Sequence, residues 1–394
     1  MHEEMPWLPS VGFQLLLPIG ANGDPPGQEG SATVLADWLF RGAGERDSRE
    51  LSNALDALGV RRGGGAGSEY LTLSGALLRE SFAEAIALFR DIARRPSLHD
   101  SEFEPARKLA LQELAAVDDE PTQVLLLRLN ERFFASTHGR SPYGTREGLT
   151  AVTADSVRHD YRQRASRAGP VLALAGGIDW QSVKDSVEQL FADWQSRETQ
   201  AAPVELRPPH RHHVRRDSAQ TLIGIAYPAA APGDSDWYPH ALAAGVLSGS
   251  MGSRLFREVR EKRGLAYHVA AVTRALKGFG YTVAFAGTTP ERAGETLEVV
   301  LTELSKLSHG VAEDELERAR TGLLSQLVMQ GESTGSRAAA LTRDSYLLGR
   351  PRSLAEVRQA VEQVSLSEVN RYLESRADPP FTVLTLGPEP HVQQ

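Results

Sequence analysis

Glu102-Phe103-Glu104-Pro105-Ala106-Arg107 and Glu315-Leu316-Glu317-Arg318-Ala319-Arg320 stand 213 residues apart and read as two versions of one segment. The same offset places Leu111 and Leu114 on Leu324 and Leu327, so the match extends over the length of a helix. The order of elements repeats upstream as well. Tyr70 to Ala76 reads as a strand closed by Gly75, and Tyr281 to Gly287 as its counterpart. After each, apolar residues return every three or four positions, at Phe82, Ile86 and Phe89 and at Leu297, Val300 and Leu304. That spacing turns one helical face toward a core.

Further short apolar runs, Phe13 to Leu17, Val171 to Leu174, Thr221 to Ile225 and Phe381 to Thr385, read as strands separated by helical segments. The fold class that follows is α+β: two homologous domains, each with helices packed on a mainly antiparallel sheet. The composition shifts between Ser196 and His213, a stretch with three prolines and no apolar period. It divides the chain into a first domain at 1–200, a linker at 201–213 and a second domain at 214–394.

Composition bounds the function. A chain of 394 residues, 41% hydrophobic, can bury two large cores. Cysteine is absent, which excludes disulfides and thiolate metal sites. With 43 basic against 51 acidic residues the net charge is −8, the wrong sign for a nucleic-acid binder and a mild preference for basic peptides. No apolar run approaches the ~18 residues of a membrane span, and the N-terminus lacks a basic-then-apolar leader. The expectation is a soluble protein of the cytoplasm or periplasm.

The most specific motif is Gly252-Ser253-Arg254-Leu255-Phe256-Arg257-Glu258-Val259-Arg260-Glu261-Lys262-Arg263-Gly264-Leu265-Ala266-Tyr267. It closely resembles the second-domain signature of pitrilysin-type, or inverted-zincin, metallopeptidases, the insulinase group that includes mitochondrial processing peptidase and insulin-degrading enzyme. Gly30 to Gly42 followed by Arg49-Glu50-Leu51 and Leu58-Gly59 resembles the opening of the first domain, and Pro142-Tyr143-Gly144-Thr145 with Gly176-Gly177-Ile178-Asp179 resembles later landmarks. The resemblance covers nearly the whole chain.

Active members carry H-x-x-E-H on a helix, with two His at i and i+4 as zinc ligands and the Glu between them as general base. Here the resemblance puts Thr33 and Asp37 at the two His positions and Ala36 at the base. Only Glu113 matches, at the position of the third ligand. A methyl group cannot accept a proton, and a zinc site without imidazole or thiolate would be unusual. The expectation is therefore no catalytic residue and no metal held in the first domain.

The second domain keeps Arg260 and Tyr267, which match by motif position the Arg and Tyr that in this family help bind substrate and stabilise the oxyanion. The plainer alternative makes Arg260 a solvated residue among charged neighbours and Tyr267 the start of a strand. The resemblance implies a heterodimer in which this chain supplies the Arg/Tyr pair. A catalytic H-x-x-E-H partner then supplies the zinc, the substrate is an unfolded peptide, and a homodimer is open when no partner is present. The other function class is a structural or scaffold member of the family without peptide chemistry.

Three further features have plain readings. His210, His212 and His213 cluster on the proline-flanked stretch and read as exposed. Gly63-Gly64-Gly65-Ala66-Gly67 has the composition of a phosphate loop without the Lys-Ser/Thr that would follow, and reads as a turn. Gly331 to Ser336 is a mobile loop or a break between helices.

Overall fold

The computed structural model describes residues 1–165, 169–192, 194, 202–377 and 379–390. Ten strands form two five-stranded sheets. The first contains β1 (His2–Glu4), β2 (Ser10–Leu17), β3 (Arg61–Ala66), β4 (Leu71–Leu78) and β5 (Val171–Gly176), in the order β1-β5-β2-β4-β3. The second contains β6 (Arg211–Arg215), β7 (Thr221–Ala229), β8 (His268–Leu276), β9 (Phe279–Thr288) and β10 (Thr382–Gly387), in the order β6-β10-β7-β9-β8. The two orders are identical once five is added to each strand number. In both sheets the pair formed by the first and last strands is parallel and the other pairs are antiparallel. The α+β duplication read from the repeat is the architecture of the protein.

Period-two alternation explains how each sheet is covered. Val11, Phe13, Leu15 and Leu17 of β2 share a core with Phe82, Ile86 and Phe89 of α2 (Phe82–Arg94), the ring of Phe13 meeting that of Phe89 edge-on at 4.6 Å. In the second sheet Ile223 and Ile225 of β7 pack with Leu297, Val300 and Leu304 of α6 (Ala293–Lys306). Fully burying each such side chain contributes on the order of 2 kcal/mol. The repeated hexapeptides lie in α3 (Asp100–Val117) and α7 (Glu313–Gly331).

The opposite face of each sheet carries one helix. The chain divides into two compact units, 1–119 with 140–202 and 330–351, and 120–139 with 203–329 and 352–394. Helix α4 (Pro121–Phe133), from the first half of the sequence, belongs to the unit of the second sheet, where Leu125, Leu129 and Phe133 pack with Leu222, Ala226, Tyr281 and Leu384. Helix α8 (Thr334–Leu348), from the second half, belongs to the unit of the first sheet. Each compact unit is thus discontinuous and contains a helix from the other half of the sequence, so neither unit has the bounds 1–200 or 214–394.

Several local expectations are corrected. Gly75 does not close a strand. It lies inside β4 opposite Phe13, and a Cβ there would meet that ring at 2.5 Å, so the glycine makes room for the phenyl group. Gly63 to Ala66 belong to the edge strand β3, paired with Leu71 to Ser74, and the turn comes later, where Gly67 N donates to Tyr70 O at 2.8 Å. The proposed linker ends in ordered structure, because β6 begins at Arg211 and pairs with β10. Residues 195–201, the first part of that proline-rich stretch and the expected boundary at 200, lie outside the described residues.

Candidate functional site

Helix α1 (Ser31–Trp38) carries the three positions that would form a zinc motif. Its N-terminus is anchored by Asp24, whose fully buried carboxylate accepts from Gly30 N at 2.8 Å and Ala32 N at 3.1 Å and meets Arg164 at 3.2 Å. Gly30 sits at φ +108°, a left-handed conformation that glycine adopts without strain. The helix start is therefore firmly held. Thr33 donates its hydroxyl hydrogen to the Pro142 carbonyl. Ala36 packs against the core of the first unit. Asp37 is paired with Arg41 one turn on, and Arg41 Nη1 also reaches Glu102 of α3 at 3.2 Å.

Glu113 lies on α3, which packs against α1. Partial burial, with the Asp37 charge adding to it, raises the Glu113 carboxyl above its ordinary range. The fold thus brings Glu113 toward the helix that carries Asp37. The donor set does not suit zinc. It offers a hydroxyl already used, a methyl group, a carboxylate paired with a guanidinium and one further carboxylate, with no imidazole. Among the described residues no cluster of three or more His, Cys, Asp or Glu is placed to hold a metal ion. Sequence reasoning passed over Arg41 and Asp24. Arg41 had a readable signal in its i+4 spacing from Asp37, whereas Asp24 had none.

The signature segment in the second unit is built differently. Leu255 and Val259 are fully buried, and Arg254 grips Glu315 of α7 through two hydrogen bonds of 2.8 and 2.6 Å. Between these anchors, Phe256–Glu261 form a π-helix, with Lys262 N donating to Arg257 O five residues back at 2.9 Å. Such wide turns are uncommon and concentrate at functional sites. Glu258 is clasped by Lys262 at 2.6 Å and Arg263 at 2.7 Å, and these hydrogen bonds hold its carboxyl down to about 2.

With that acid occupied, Arg260 makes no ion pair among the described residues. Its guanidinium carbon lies 4.9 Å from the ring centres of both Phe256 and Tyr267. Tyr267 is 85% exposed and stands directly before β8. The fold therefore brings Arg260 and Tyr267 into contact on an exposed surface, with a cation over an aromatic face. Arg254 and Glu258, inside the same motif, have structural partners instead.

The remaining features find structural places. His212 and His213 lie in β6, where His213 Nδ1 is 2.9 Å from Thr385 Oγ1, so they are not on a loose linker. Of the stretch Gly331 to Ser336, only Glu332 and Ser333 break the helices: Gly331 ends α7, and Ser333 caps α8, its hydroxyl accepting from Ser336 N.

The family model described as Insulinase (Peptidase family M16) matches residues 3–146, and that described as Peptidase M16 inactive domain matches residues 151–323. The chain belongs to the M16 peptidase family. It is 27% identical to a Streptomyces coelicolor protein described as an uncharacterized zinc protease, over 93% of this chain and 82% of the relative. To a Bacillus subtilis protein of the same description it is 24% identical, over 93% and 90%. The fold matches a peptidase M16 inactive domain from Pseudomonas fluorescens with a TM-score of 0.88 at 19% identity, covering 100% of this chain and 96% of that one. A chain of complex III from Candida albicans matches with a TM-score of 0.85 at 16% identity, over 100% and 94%. The match to the inactive-domain model begins at residue 151, ahead of the strand Val171–Gly176 that belongs to the first sheet. Among the described residues, no helix of this M16 chain is long and apolar enough to cross a membrane.

Proposed function

We propose that this M16 chain is the non-catalytic, substrate-binding subunit of a heterodimeric zinc metallopeptidase. Arg260 and Tyr267 would serve the active site of a partner that carries an intact H-x-x-E-H motif. The observation that carries the reading is the contrast between the two motif regions. On α1 the general-base position is Ala36 and the ligand positions are engaged elsewhere, while Arg260 and Tyr267 are held in contact, exposed, with the nearby acid Glu258 tied off.

In this assignment the partner supplies the metal and the base. Arg260 provides a fixed cation and Tyr267 a phenol hydrogen for the oxygen that gains charge as the scissile carbonyl is attacked. Donors held in place before the reaction stabilise that charge without reorganising. The substrate is an unfolded peptide, bound as an extended chain.

A scaffold role without peptide chemistry is the second reading. It draws on the likeness in fold to a chain of complex III. The test is peptide hydrolysis, with zinc content measured in parallel, for this chain, for an H-x-x-E-H partner and for the two mixed. The proposal expects activity on mixing, zinc in the partner only, and a loss of about 10²-fold for Arg260→Ala in the mixture, the size seen when one oxyanion donor is removed. Tyr267→Phe should lower turnover by a smaller factor. A mixture no more active than the partner alone favours the scaffold, and zinc-dependent hydrolysis by this chain alone overturns the assignment.

A further inference from the structure

Residues from the π-helix Phe256–Glu261, the end of α6 and the start of α7 line a cavity of about 430 Å³. All of its lining residues belong to the second compact unit. The volume lies within the range of small-molecule sites, roughly 300–1,000 Å³. Its wall is polar and carries charges of both signs.

Most of these charges are matched within the protein. Glu258 is held by Lys262 and Arg263. Glu315 is held by Arg254 and accepts a further hydrogen bond from Ala312 N at 3.0 Å. Glu303 is only 5% exposed, and Lys306 donates to its Oε1 at 2.8 Å. The second oxygen, Oε2, receives no hydrogen bond among the described residues. Arg254 and Arg263 feel the Glu303 charge without donating to it. Buried carboxylate oxygens ordinarily have donors, so Oε2 on this wall is an acceptor with capacity to spare.

Arg257 is the complementary case. Its backbone is fixed on both sides, with its N donating to Ser253 O at 3.0 Å and its O accepting from Lys262 N at 2.9 Å. Its side chain is partly buried on the cavity wall and makes no ion pair or hydrogen bond among the described residues. A guanidinium in that state is a fork that matches a carboxylate with two parallel hydrogen bonds.

One cavity therefore holds an uncommitted cation and an uncommitted carboxylate oxygen. A purely anionic ligand would leave Glu303 Oε2 unpaired and face three wall carboxylates, and a purely cationic ligand would leave Arg257 unpaired. We propose that the cavity is a binding site for a small zwitterion of the α-amino-acid class, its carboxylate on Arg257 and its ammonium on Glu303. Lys306 and the His309 imidazole offer further polar contacts to the ligand's side chain. Arg260 and Tyr267 do not line this cavity, so the inference is independent of the role assigned to them.

The test screens the full chain by thermal shift against the protein-forming amino acids and measures the Kd of the best binder by titration calorimetry. Three comparison probes are that amino acid with its α-carboxylate converted to an amide, its analogue with hydrogen in place of the α-amino group, and inorganic phosphate. At least one amino acid should bind, and the amide and the deaminated analogue should each bind at least about tenfold more weakly, as expected when a charge-assisted hydrogen bond is lost. Arg257→Gln should weaken the amino acid about tenfold while leaving the affinity of the amide unchanged, and Glu303→Gln should do the same with respect to the deaminated analogue. Circular dichroism checks both variants, and should Glu303→Gln fail to fold, the deaminated analogue alone decides that end of the site. No binding by any amino acid, tighter binding of phosphate than of every amino acid, or undiminished affinity for the amide or the deaminated analogue would overturn the proposal.

Discussion

Helices α4 and α8 occupy equivalent places on the two sheets and are held there by different chemistry. Each starts 213 residues from the other, at Pro121 and Thr334, so Leu125, Leu129 and Phe133 correspond to Ala338, Thr342 and Tyr346. In the second unit Leu125 and Leu129 project onto the sheet, and a Cβ on Gly224 of β7 would meet their side chains at 3.1 to 3.3 Å. In the first unit small residues replace them and the helix backbone comes closer, so a Cβ on Gly12 of β2 would lie 2.5 Å from Gly335 N and the Thr334 carbonyl carbon. An ion pair offsets the smaller apolar volume there. Arg337, 4% exposed, binds Glu3 of β1 through both carboxylate oxygens, Nε to Oε1 at 2.7 Å. One topology therefore tolerates a greasy helix standing off its sheet or a small, charged helix lying close to it.

Substitutions can break this contrast at each side. The largest effect is expected for Leu129→Ala, about 3–4 kcal/mol from lost burial and a residual cavity, whereas Thr342→Ala at the matching place should cost only about 1 kcal/mol. Urea unfolding of the pair would show it, and equal losses would mean that the two helices are held alike. Glu3→Ala leaves the buried Arg337 charge unpaired and should cost about 3 kcal/mol. Arg337→Leu with Glu3→Ala should recover part of that loss, and failure to recover it would deny that the cost is an unpaired charge. Gly12→Ala should destabilise by about 2 kcal/mol, because the new methyl group meets backbone that cannot rotate away. Gly224→Ala, facing only leucine side chains, should be milder.

Acid separates the units further. His240, buried on α5 (Trp237–Ser248) between Tyr372 at 3.0 Å and Thr273 at 3.0 Å, is pushed down to about 4 by burial, with the Arg376 charge adding to it. The unfolded chain then binds the proton more readily than the folded one, so this stability is present above about pH 6.5 and is lost as pH falls toward 4. Asp24 behaves oppositely. Burial raises its carboxyl to about 6 against the pull of Arg164, so its contribution is fully present below about pH 4 and is lost as pH rises through 6. Between pH 7 and 5, amide-exchange protection around His240 should fall by about 2 kcal/mol while that around Asp24 rises by about 1 kcal/mol. A uniform change across both units would remove this part of the comparison.

The candidate sites were legible in unequal measure. That the proposed motif positions Thr33, Ala36 and Asp37 offer no imidazole and no glutamate is visible as residue identity and needs no coordinates. The contact of Arg260 with Tyr267 is different, because an ordinary helix through Phe256 to Glu261 would aim the arginine elsewhere. Hydrogen bonds spaced five residues apart re-aim it, and no propensity announces them. Strand β6 was hidden for a related reason. Its prolines and histidines read as linker, and only pairing with β10, more than 160 residues later, makes it a strand.

By itself, the sequence determined the duplication, the α+β class and the chemistry absent from α1, since repeats, apolar periods and residue types are local properties of the chain. Tertiary structure decided which sheet each of α4 and α8 covers, that Gly75 sits opposite Phe13, and that Asp37 meets Arg41 and Glu102. These depend on which surfaces are complementary across long stretches of chain. A helix encodes its own apolar face, but the partner that face buries against is settled only when the competing surfaces pack.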